Sequence, residues 1–403
     1  MDTKSVVVPG RYEKNGWVQW PGQPELSFQF ARTLGAAQEG ASLISECFLA
    51  ASRMTPGDTE SWYREWQALA RTSEARANEA FELKRFRTAS SNWLRAANYY
   101  RSSEFYLGHD DPRRTDTFES VERCSKRYLA GLTPAGEVVR VPYENGAHLD
   151  AYFIPCAGSD VRSPVVIAFG GLDEYKDELL HEMPKHALPR GMSLLLVDLP
   201  GQGGTLRRQK IVNRPDTHVP VGACVDYLLT RPDVDSTRIG LYGASVGGVY
   251  AALAAAEEKR VAAVVSDSVM FDMSSLFAEW LDFPDKLIWG HLKWVFGCST
   301  PEAVVQRAKV FSLNGVIDRI SVPYLVLQGT EDWLGLETAT DTYDYAKKNG
   351  VNAELKLFYP EETGAAHCQI DNPTLGQEFV CDWLAEKLGV DQASARARFP
   401  ALA

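Results

Sequence analysis

The segment GASVG at residues 243–247 places a serine, Ser245, at the centre of the pattern G-x-S-x-G. The apolar run 238–242 before it favours a buried strand, and the small residues 249–256 after it favour a helix. A strand, a sharp turn and a helix form the context in which this pattern exposes a nucleophilic hydroxyl. The alternative interpretation is a glycine-rich turn without chemistry. We predict Ser245 as the nucleophile and the backbone N–H of Val246 as one donor to an oxyanion.

A serine hydroxyl becomes an effective nucleophile only when a base accepts its proton and a carboxylate orients that base. In strand–turn–helix sites of this kind, the order along the chain is serine, acid, histidine. Asp332 follows an apolar run in the turn GTED, where Glu331 is its nearest competitor. His367 follows the next apolar run, in a loop of small residues. We predict Asp332 as the acid and His367 as the base, with His291 as the other histidine that could contact a substrate.

A second oxyanion donor is expected from the loop GGLD at 170–173, which follows the apolar run 164–169. Its glycines allow a close approach of the backbone, and we choose the N–H of Leu172. The segment DLPGQG at 198–203 is interpreted as a structural turn. The sequence contains no metal-ligand constellation and no phosphate-binding glycine motif, so we expect no metal and no cofactor.

The sequence pattern changes near residue 133, from helical spacing of apolar residues to apolar strands that alternate with helices. Residues 26–130 carry apolar side chains at helical spacing, which predicts an all-helical N-terminal cap domain, 1–132. Its aromatic residues are expected mainly in the core, with the alternative that some line a substrate chamber. In the catalytic domain, 133–403, apolar strands alternate with helices, which predicts an α/β fold with a mostly parallel, doubly wound sheet. The predicted strands are 138–143, 148–154, 164–169, 193–198, 238–242, 261–266, 322–328 and 353–358.

Two further features belong to this predicted catalytic domain. The first two strands flank Glu144-Asn145-Gly146, which predicts a hairpin with an Asn-Gly turn. The strand rhythm stops after residue 270, and 271–297 is rich in tryptophan and phenylalanine. We predict a lid insertion around 271–315.

Composition restricts the classes of partner. The net charge of −11 argues against binding to nucleic acid or to an anionic membrane. The seven cysteines are dispersed, with no C-x-x-C pair, as is typical of proteins in a reducing compartment. No signal-peptide pattern opens the sequence, and no run of about 18 apolar residues occurs. We expect a cytoplasmic protein whose partner is a small-molecule substrate.

Together, GASVG at 243–247, GTED at 329–332 and GAAH at 364–367 resemble the α/β-hydrolase superfamily over roughly residues 135–390. Three further features narrow the resemblance: the helical segment before the sheet, the motif GGLDEYKDE at 170–178 and the motif DLPGQGG at 198–204. They are similar to the branch that contains 2,6-dihydroxypseudooxynicotine hydrolase, the bacterial fermentation-respiration switch protein and the fungal polyketide-shortening hydrolases of the yellowish-green pigment type.

The resemblance implies a substrate pocket between the helical segment and the sheet, and often a homodimer. It also implies cleavage of a carbon–carbon bond in a β-diketone-like compound. In the nicotine-pathway enzyme of this branch an extra glutamate after the nucleophile is implicated. The nearest candidate for such an auxiliary acid here is Glu279, with Asp267, Asp272 and Asp282 as competitors.

The resulting prediction is a serine hydrolase that forms an acyl-enzyme on a ketone or ester of medium size. Its aromatic-rich segments favour an apolar or aromatic substrate. The same acyl-enzyme could instead be resolved by another nucleophile, which would make the protein an acyltransferase or a cyclase. A binding protein on a retained hydrolase fold is the non-enzymatic alternative, which the intact serine, acid and histidine disfavour.

Overall fold

The computed structural model describes residues 19–156, 162–283 and 287–398. The first 18 residues of the predicted cap, residues 284–286 of the predicted lid, and 157–161 and 399–403 of the predicted catalytic domain lie outside these ranges. Helices precede the first strand, as predicted. They are α1 (Pro24–Gly35), α2 (Ile44–Ala51), α3 (Thr59–Glu82), α4 (Phe86–Glu104) and α5 (Pro112–Ala130).

Eight strands form one sheet in the spatial order β1-β2-β4-β3-β5-β6-β7-β8. β2 pairs with β1 and β4 in antiparallel fashion, and the other pairs are parallel. The strands are β1 (Glu137–Pro142), β2 (His148–Ile154), β3 (Ser163–Phe169), β4 (Ser193–Val197), β5 (Val234–Ala244), β6 (Ala263–Asp267), β7 (Tyr324–Gly329) and β8 (Ala353–Phe358). The predicted hairpin is confirmed: Asn145 and Gly146 both have positive φ, at 55° and 78°, which this tight turn requires.

Helices cover both faces of the sheet. They are α6 (Lys176–Glu182), α7 (Pro184–Ala187), α8 (Gly203–Arg207), α9 (His218–Leu229), α10 (Val246–Glu257), α11 (Met273–Glu279), α12 (Ile288–Phe296), α13 (Pro301–Ala308), α14 (Leu336–Lys348), α15 (Pro373–Lys387) and α16 (Gln392–Arg398). β3 is buried throughout, and its side chains alternate between two hydrophobic cores. Val165, Ile167 and Phe169 join α9, α10 and α14, whereas Val166 and Ala168 join α6 and α15.

The N-terminal helices have a core of their own. Trp62 and Trp66 are buried, and Trp66 stacks on Tyr99 with a distance of 5.6 Å between ring centroids. These aromatics are therefore core residues, as expected. Phe28 and Phe105, by contrast, line the cavity described below. The change from helices to strands falls near the predicted boundary, while the division into two domains stays a prediction.

A buried lysine joins the N-terminal helices to the sheet. Lys176, 1% exposed, donates from Nζ to Glu122 of α5 at 2.8 Å, to Asp177 at 2.9 Å and to Asp198, just after β4, at 3.2 Å. Asp198 also accepts the backbone N–H groups of Lys176 and Gly204. These contacts support the structural interpretation of the turn at 198–203.

The segment predicted as a lid contains α11, α12 and α13. Phe277 and Trp280 from this segment line the cavity. Movement of these helices stays a prediction. Among the described helices, none combines the length and the apolar character that crossing a membrane requires.

Candidate active site

The turn between β5 and α10 holds Ser245 in a strained conformation, with φ 56° and ψ −120°. A Cβ on Gly243 would lie 2.1 Å from the carbonyl oxygen of Gly247, and a Cβ on Gly247 would lie 2.3 Å from that of Gly170. Only glycine fits at both positions, which explains the G-x-S-x-G spacing physically. The backbone N–H of Ser245 donates to the carbonyl of Asp267 at 2.7 Å.

The two predicted oxyanion donors lie beside this serine. Val246 is the first residue of α10, so its N–H has no acceptor within the helix. The loop after β3 passes so close that a Cβ on Gly171 would lie 3.1 Å from Ser245 Cβ and 3.7 Å from its Oγ. The N–H of Gly171 donates to Glu174 Oε2 at 3.1 Å. Leu172 and Val246 both line the cavity that Ser245 lines, and their role in binding an oxyanion stays a prediction.

Asp332 and His367 form a hydrogen-bonded pair. His367 Nδ1 lies 2.9 Å from both carboxylate oxygens of Asp332, which is fully buried. A Cβ on Gly329, at the end of β7, would lie 2.1 Å from the carbonyl of Ala365, so the two loops touch. The structure thus brings the predicted acid and base together. The carboxylate that contacts His367 Nδ1 belongs to Asp332 and not to its competitor Glu331.

The backbone after His367 is also strained. Cys368 and Gln369 have φ values of 50° and 51°. The N–H of Cys368 donates to Ser268 Oγ at 2.9 Å, and Gln369 Nε2 donates to Asp267 Oδ1 at 3.1 Å. Side chains at the end of β6 therefore hold the histidine loop in place. Burial raises the pKa of Asp267 to about 6, although the hydrogen bond from Gln369 opposes this rise.

Sequence reasoning missed this supporting role of Asp267 and Ser268, and also the role of Gln202. Gln202 Nε2 donates to the carbonyl of Gly170 and, at 3.1 Å, to that of Gly171. These bonds fix the loop that carries Leu172. The motif DLPGQGG at 198–204 contains this glutamine, but its glycines indicate only a turn, and no local pattern assigns a role to Gln202.

Ser245 and His367 line one cavity with a volume of about 640 Å³, within the usual range for small-molecule sites. Helix α1 covers it: the Phe28 ring lies 6.3 Å from the His367 ring, and Trp333 lies 4.7 Å from it on another side. The apolar lining residues are Leu26, Phe28, Phe105, Leu172, Met270, Phe277, Trp280, Leu287, Ile288 and Trp333. The polar ones include glutamate, glutamine and tyrosine side chains from α1, α6, β5 and α15.

The expectation for Glu279 requires a correction. Glu279 is exposed and does not line the cavity. Met273 and Phe277 form the buried side of α11, and a residue two positions after Phe277 points to the opposite side of a helix. Of its three competitors, Asp272 caps the N-terminus of α11 and Asp282 is exposed. The third, Asp267, holds the histidine loop and is not among the residues that line the cavity.

Two acids that sequence reasoning did not select, Glu174 and Glu182, do line the cavity. Glu182 lies close enough to Glu174 to interact with it, and we call the two the carboxyl pair. Burial, and then the charge of Glu178, raises the pKa of Glu174 to about 7. Burial, and then the charge of Glu174, raises the pKa of Glu182 well above its usual value. The acid-rich motif GGLDEYKDE at 170–178, which begins with the predicted oxyanion loop, was the signal that could have found Glu174.

His291, the other histidine considered for substrate contact, stacks on Phe105 with 5.9 Å between ring centroids. Burial, and then the charge of Arg114, lowers the pKa of His291 well below its usual value. It does not belong to the residues that line the cavity.

Comparison with known proteins agrees with this architecture. Residues 57–287, more than half of the chain, match the family model described as "Esterase FrsA-like". The chain belongs to the FrsA-like esterase family. Residues 220–391 of this family member also match the model of the prolyl oligopeptidase family. The resemblance inferred from the motifs is confirmed, and the protein is an enzyme, a hydrolase of the α/β type.

Relatives of this FrsA-like protein include fungal hydrolases. Hydrolase LUC6 from Fusarium sp is 30% identical over 91% of this chain and 97% of its own. The 20-hydroxy-prefusarin hydrolase FUS2 from Gibberella moniliformis is 31% identical over 75% of this chain and 81% of its own. The crystal structure of 2,6-dihydroxy-pseudo-oxynicotine hydrolase is 25% identical, with a TM-score of 0.74, and covers 88% of this chain and 95% of its own. The α/β-hydrolase fold is therefore confirmed.

Proposed function

We propose that this hydrolase acts through an acyl-enzyme on Ser245. The observation that carries the proposal is the hydrogen bond from His367 Nδ1 to the buried carboxylate of Asp332, on the cavity that Ser245 also lines. A carboxylate at Nδ1 fixes the tautomer of the ring and leaves Nε2 as the base. This arrangement supports nucleophilic catalysis by serine.

In the proposed reaction Ser245 Oγ attacks a substrate carbonyl while His367 Nε2 takes the hydroxyl proton. The N–H groups of Val246 and Leu172 stabilise the oxyanion of the tetrahedral intermediate. The intermediate collapses to the acyl-enzyme, and His367 gives its proton to the leaving group. Water, deprotonated by His367, then releases the acyl group as a carboxylic acid.

The favoured substrate is a β-diketone-like or polyketide-like compound cleaved at a carbon–carbon bond, with an ester as the other substrate class. One relative is a 20-hydroxy-prefusarin hydrolase, and the structural neighbour is a 2,6-dihydroxy-pseudo-oxynicotine hydrolase. The aromatic wall formed by Phe28, Trp280 and Trp333 fits a carbon-rich substrate.

The test compares the full chain with Ser245→Ala on a panel of acyl esters and β-diketones in heavy-oxygen water, with products identified by mass spectrometry. We expect wild type to release an acid that carries one heavy oxygen atom, and Ser245→Ala to release none. An exposed serine on α11 provides the matched control, and Ser275→Ala should keep full activity and full labelling by a fluorophosphonate.

Two results would contradict the proposal. Equal turnover by Ser245→Ala would exclude Ser245 as the nucleophile. An acyl adduct on Ser245 that is released to an alcohol or amine, without heavy oxygen in the product, would identify an acyltransferase instead.

A further inference from the structure

Four polar side chains line the cavity together with Ser245: Tyr242, Gln377 and the carboxyl pair Glu174 and Glu182. Gln377 Nε2 donates to the Tyr242 hydroxyl at 3.3 Å. Burial, then Asp267, and then both members of the carboxyl pair raise the pKa of Tyr242 well above its usual value. We call these four groups the acceptor end of the cavity.

The acceptor end has an unpaired oxygen. The Tyr242 hydroxyl donates to Asp267 Oδ2 at 3.3 Å, so it can accept only from the Nε2 of Gln377. These two hydrogen bonds fix the orientation of the Gln377 amide, with Nε2 towards the Tyr242 hydroxyl. Gln377 Oε1 then has no hydrogen-bond partner among the described residues. The Gln377 side chain is buried, with 6% of the residue exposed. Gln29, which is 5% exposed and lines the same cavity, also has an unpaired Oε1 in the described part of the chain.

The positive charges beside the acceptor end are already engaged. Arg32 pairs with Asp173 at 2.8 Å and with Glu178 at 2.6 Å, and Arg101 pairs with Glu178 at 3.0 Å. Two guanidinium groups thus balance two carboxylates. His181, another lining residue, has Nε2 at 4.0 Å from Glu182 Oε1, but burial lowers the pKa of His181 to about 4, so its ring is neutral near pH 7. In the ranges that the structure describes, no cation forms an ion pair with the carboxyl pair.

A buried acceptor that lacks a donor is costly, and a ligand that supplies the donor recovers that cost. We propose that the acceptor end binds a hydroxyl or amine of the substrate while the reacting carbonyl lies at Ser245. The inference rests on the proposed function, because it concerns the substrate of the same site. Tyr242 precedes Ser245 by three residues at the end of β5, so the Cα atoms of the two residues lie on the order of 10 Å apart, and we expect the donor several bonds from the carbonyl.

The same chemistry predicts what the cavity rejects. A substrate carboxylate at this position would face Gln377 Oε1, an acceptor that has no hydrogen to donate to it. An apolar end would leave the unpaired oxygens buried and unsatisfied. Substrates of this enzyme are therefore expected to carry a hydrogen-bond donor, charged or neutral, several bonds from the carbonyl that Ser245 attacks.

The experiment uses alkyl boronic acids, which add reversibly to a nucleophilic serine, in chains of increasing length that end in methyl, hydroxyl, ammonium or carboxylate. Each compound is assayed as an inhibitor of p-nitrophenyl acetate hydrolysis by the full chain. At one chain length we expect the hydroxyl or ammonium compound to bind about tenfold more tightly than the methyl compound. The carboxylate compound should bind more weakly than the methyl compound.

Variants locate the effect. Gln377→Met should abolish most of the donor preference, and Gln29→Met provides a second measurement if Gln377→Met does not fold. Gln38→Met, at an exposed glutamine outside the cavity lining, is the matched control and should keep the full preference.

The outcomes separate the two proposals. If the methyl compound inhibits but no polar end group gains affinity at any chain length, the acceptor end does not bind substrate and the present inference is overturned. The chemistry of Ser245 would stand in that case. If no boronic acid inhibits and the ester is not hydrolysed, the proposed function fails and this inference fails with it.

Discussion

Replacement of Asp332 by asparagine tests the central contact of the site. The change keeps the shape of the side chain and one oxygen, so the backbone N–H of Leu334, which donates to Asp332 Oδ1 at 2.9 Å, can keep its acceptor. It removes the negative charge and turns one acceptor of the His367 bond into a donor. The fold should therefore be retained while the imidazolium formed during catalysis loses its counter-charge.

The magnitude follows from the geometry. His367 Nδ1 lies 2.9 Å from both oxygens of Asp332, which places the centres of the two charges about 4 Å apart. At an effective dielectric constant of about 20, a pair at that distance is stabilised by about 4 kcal/mol. This stabilisation exists only when His367 carries the proton of Ser245. We therefore expect kcat to fall about a thousandfold, with little change in KM.

The assay is hydrolysis of an activated ester, with circular dichroism and thermal unfolding to verify the fold of each variant. The matched control is Asp267→Asn, the other buried carboxylate near His367, which acts through Gln369. That variant should lose no more than about tenfold. Retention of a tenth of the activity by Asp332→Asn, or a larger loss in Asp267→Asn, would refute the reasoning and transfer the orienting role to Asp267.

Three further predictions concern the surroundings of the site. Lys176→Met leaves three buried carboxylates without their ammonium partner, and urea unfolding should show a loss of about 3 to 5 kcal/mol. Gly171→Ala places a methyl group 3.1 Å from Ser245 Cβ, so kcat/KM should fall about a hundredfold while the thermal midpoint hardly changes. Burial alone would raise the pKa of Glu39, but hydrogen bonds, first from His186, lower it from 4.5 to about 2. Its stabilisation is therefore present above pH 4.5 and is lost as the pH falls towards 2, so the stability advantage of wild type over Glu39→Gln, about 2 kcal/mol, should shrink across that range.

Much of the site could be predicted because local patterns carry it. Ser245, Asp332 and His367 each follow an apolar run that forms a parallel strand, β5, β7 or β8, and the ends of such strands meet at one edge of the sheet. A Cβ on Gly243 or Gly247 would lie only 2.1 or 2.3 Å from a backbone carbonyl oxygen, so this turn requires glycine at both positions. Strand, turn and helix are short-range features, so the sequence pattern indicates them directly.

The auxiliary carboxylates were harder to predict. Glu279 and Glu174 both lie a few residues from apolar positions, and nothing local distinguishes them. α11 turns Glu279 to the surface, because Met273 and Phe277 are the side chains that pack inwards. Glu174 is held inside because Gly171 donates to it and Glu182, from the next helical turns, packs against it.

The sequence by itself determined the fold class, the order of strands and helices, and the chain positions of the serine, acid and histidine. Tertiary structure decided that α1 lies over His367, that Asp267 and Gln202 hold the two loops of the site, and that Glu174 and Gln377, far apart in the chain, line the same cavity. The physical reason is the range of the interactions. Backbone geometry and hydrophobic periodicity act over a few residues, whereas burial, charge pairing and unpaired acceptors depend on segments that are far apart in the chain and meet only when it folds.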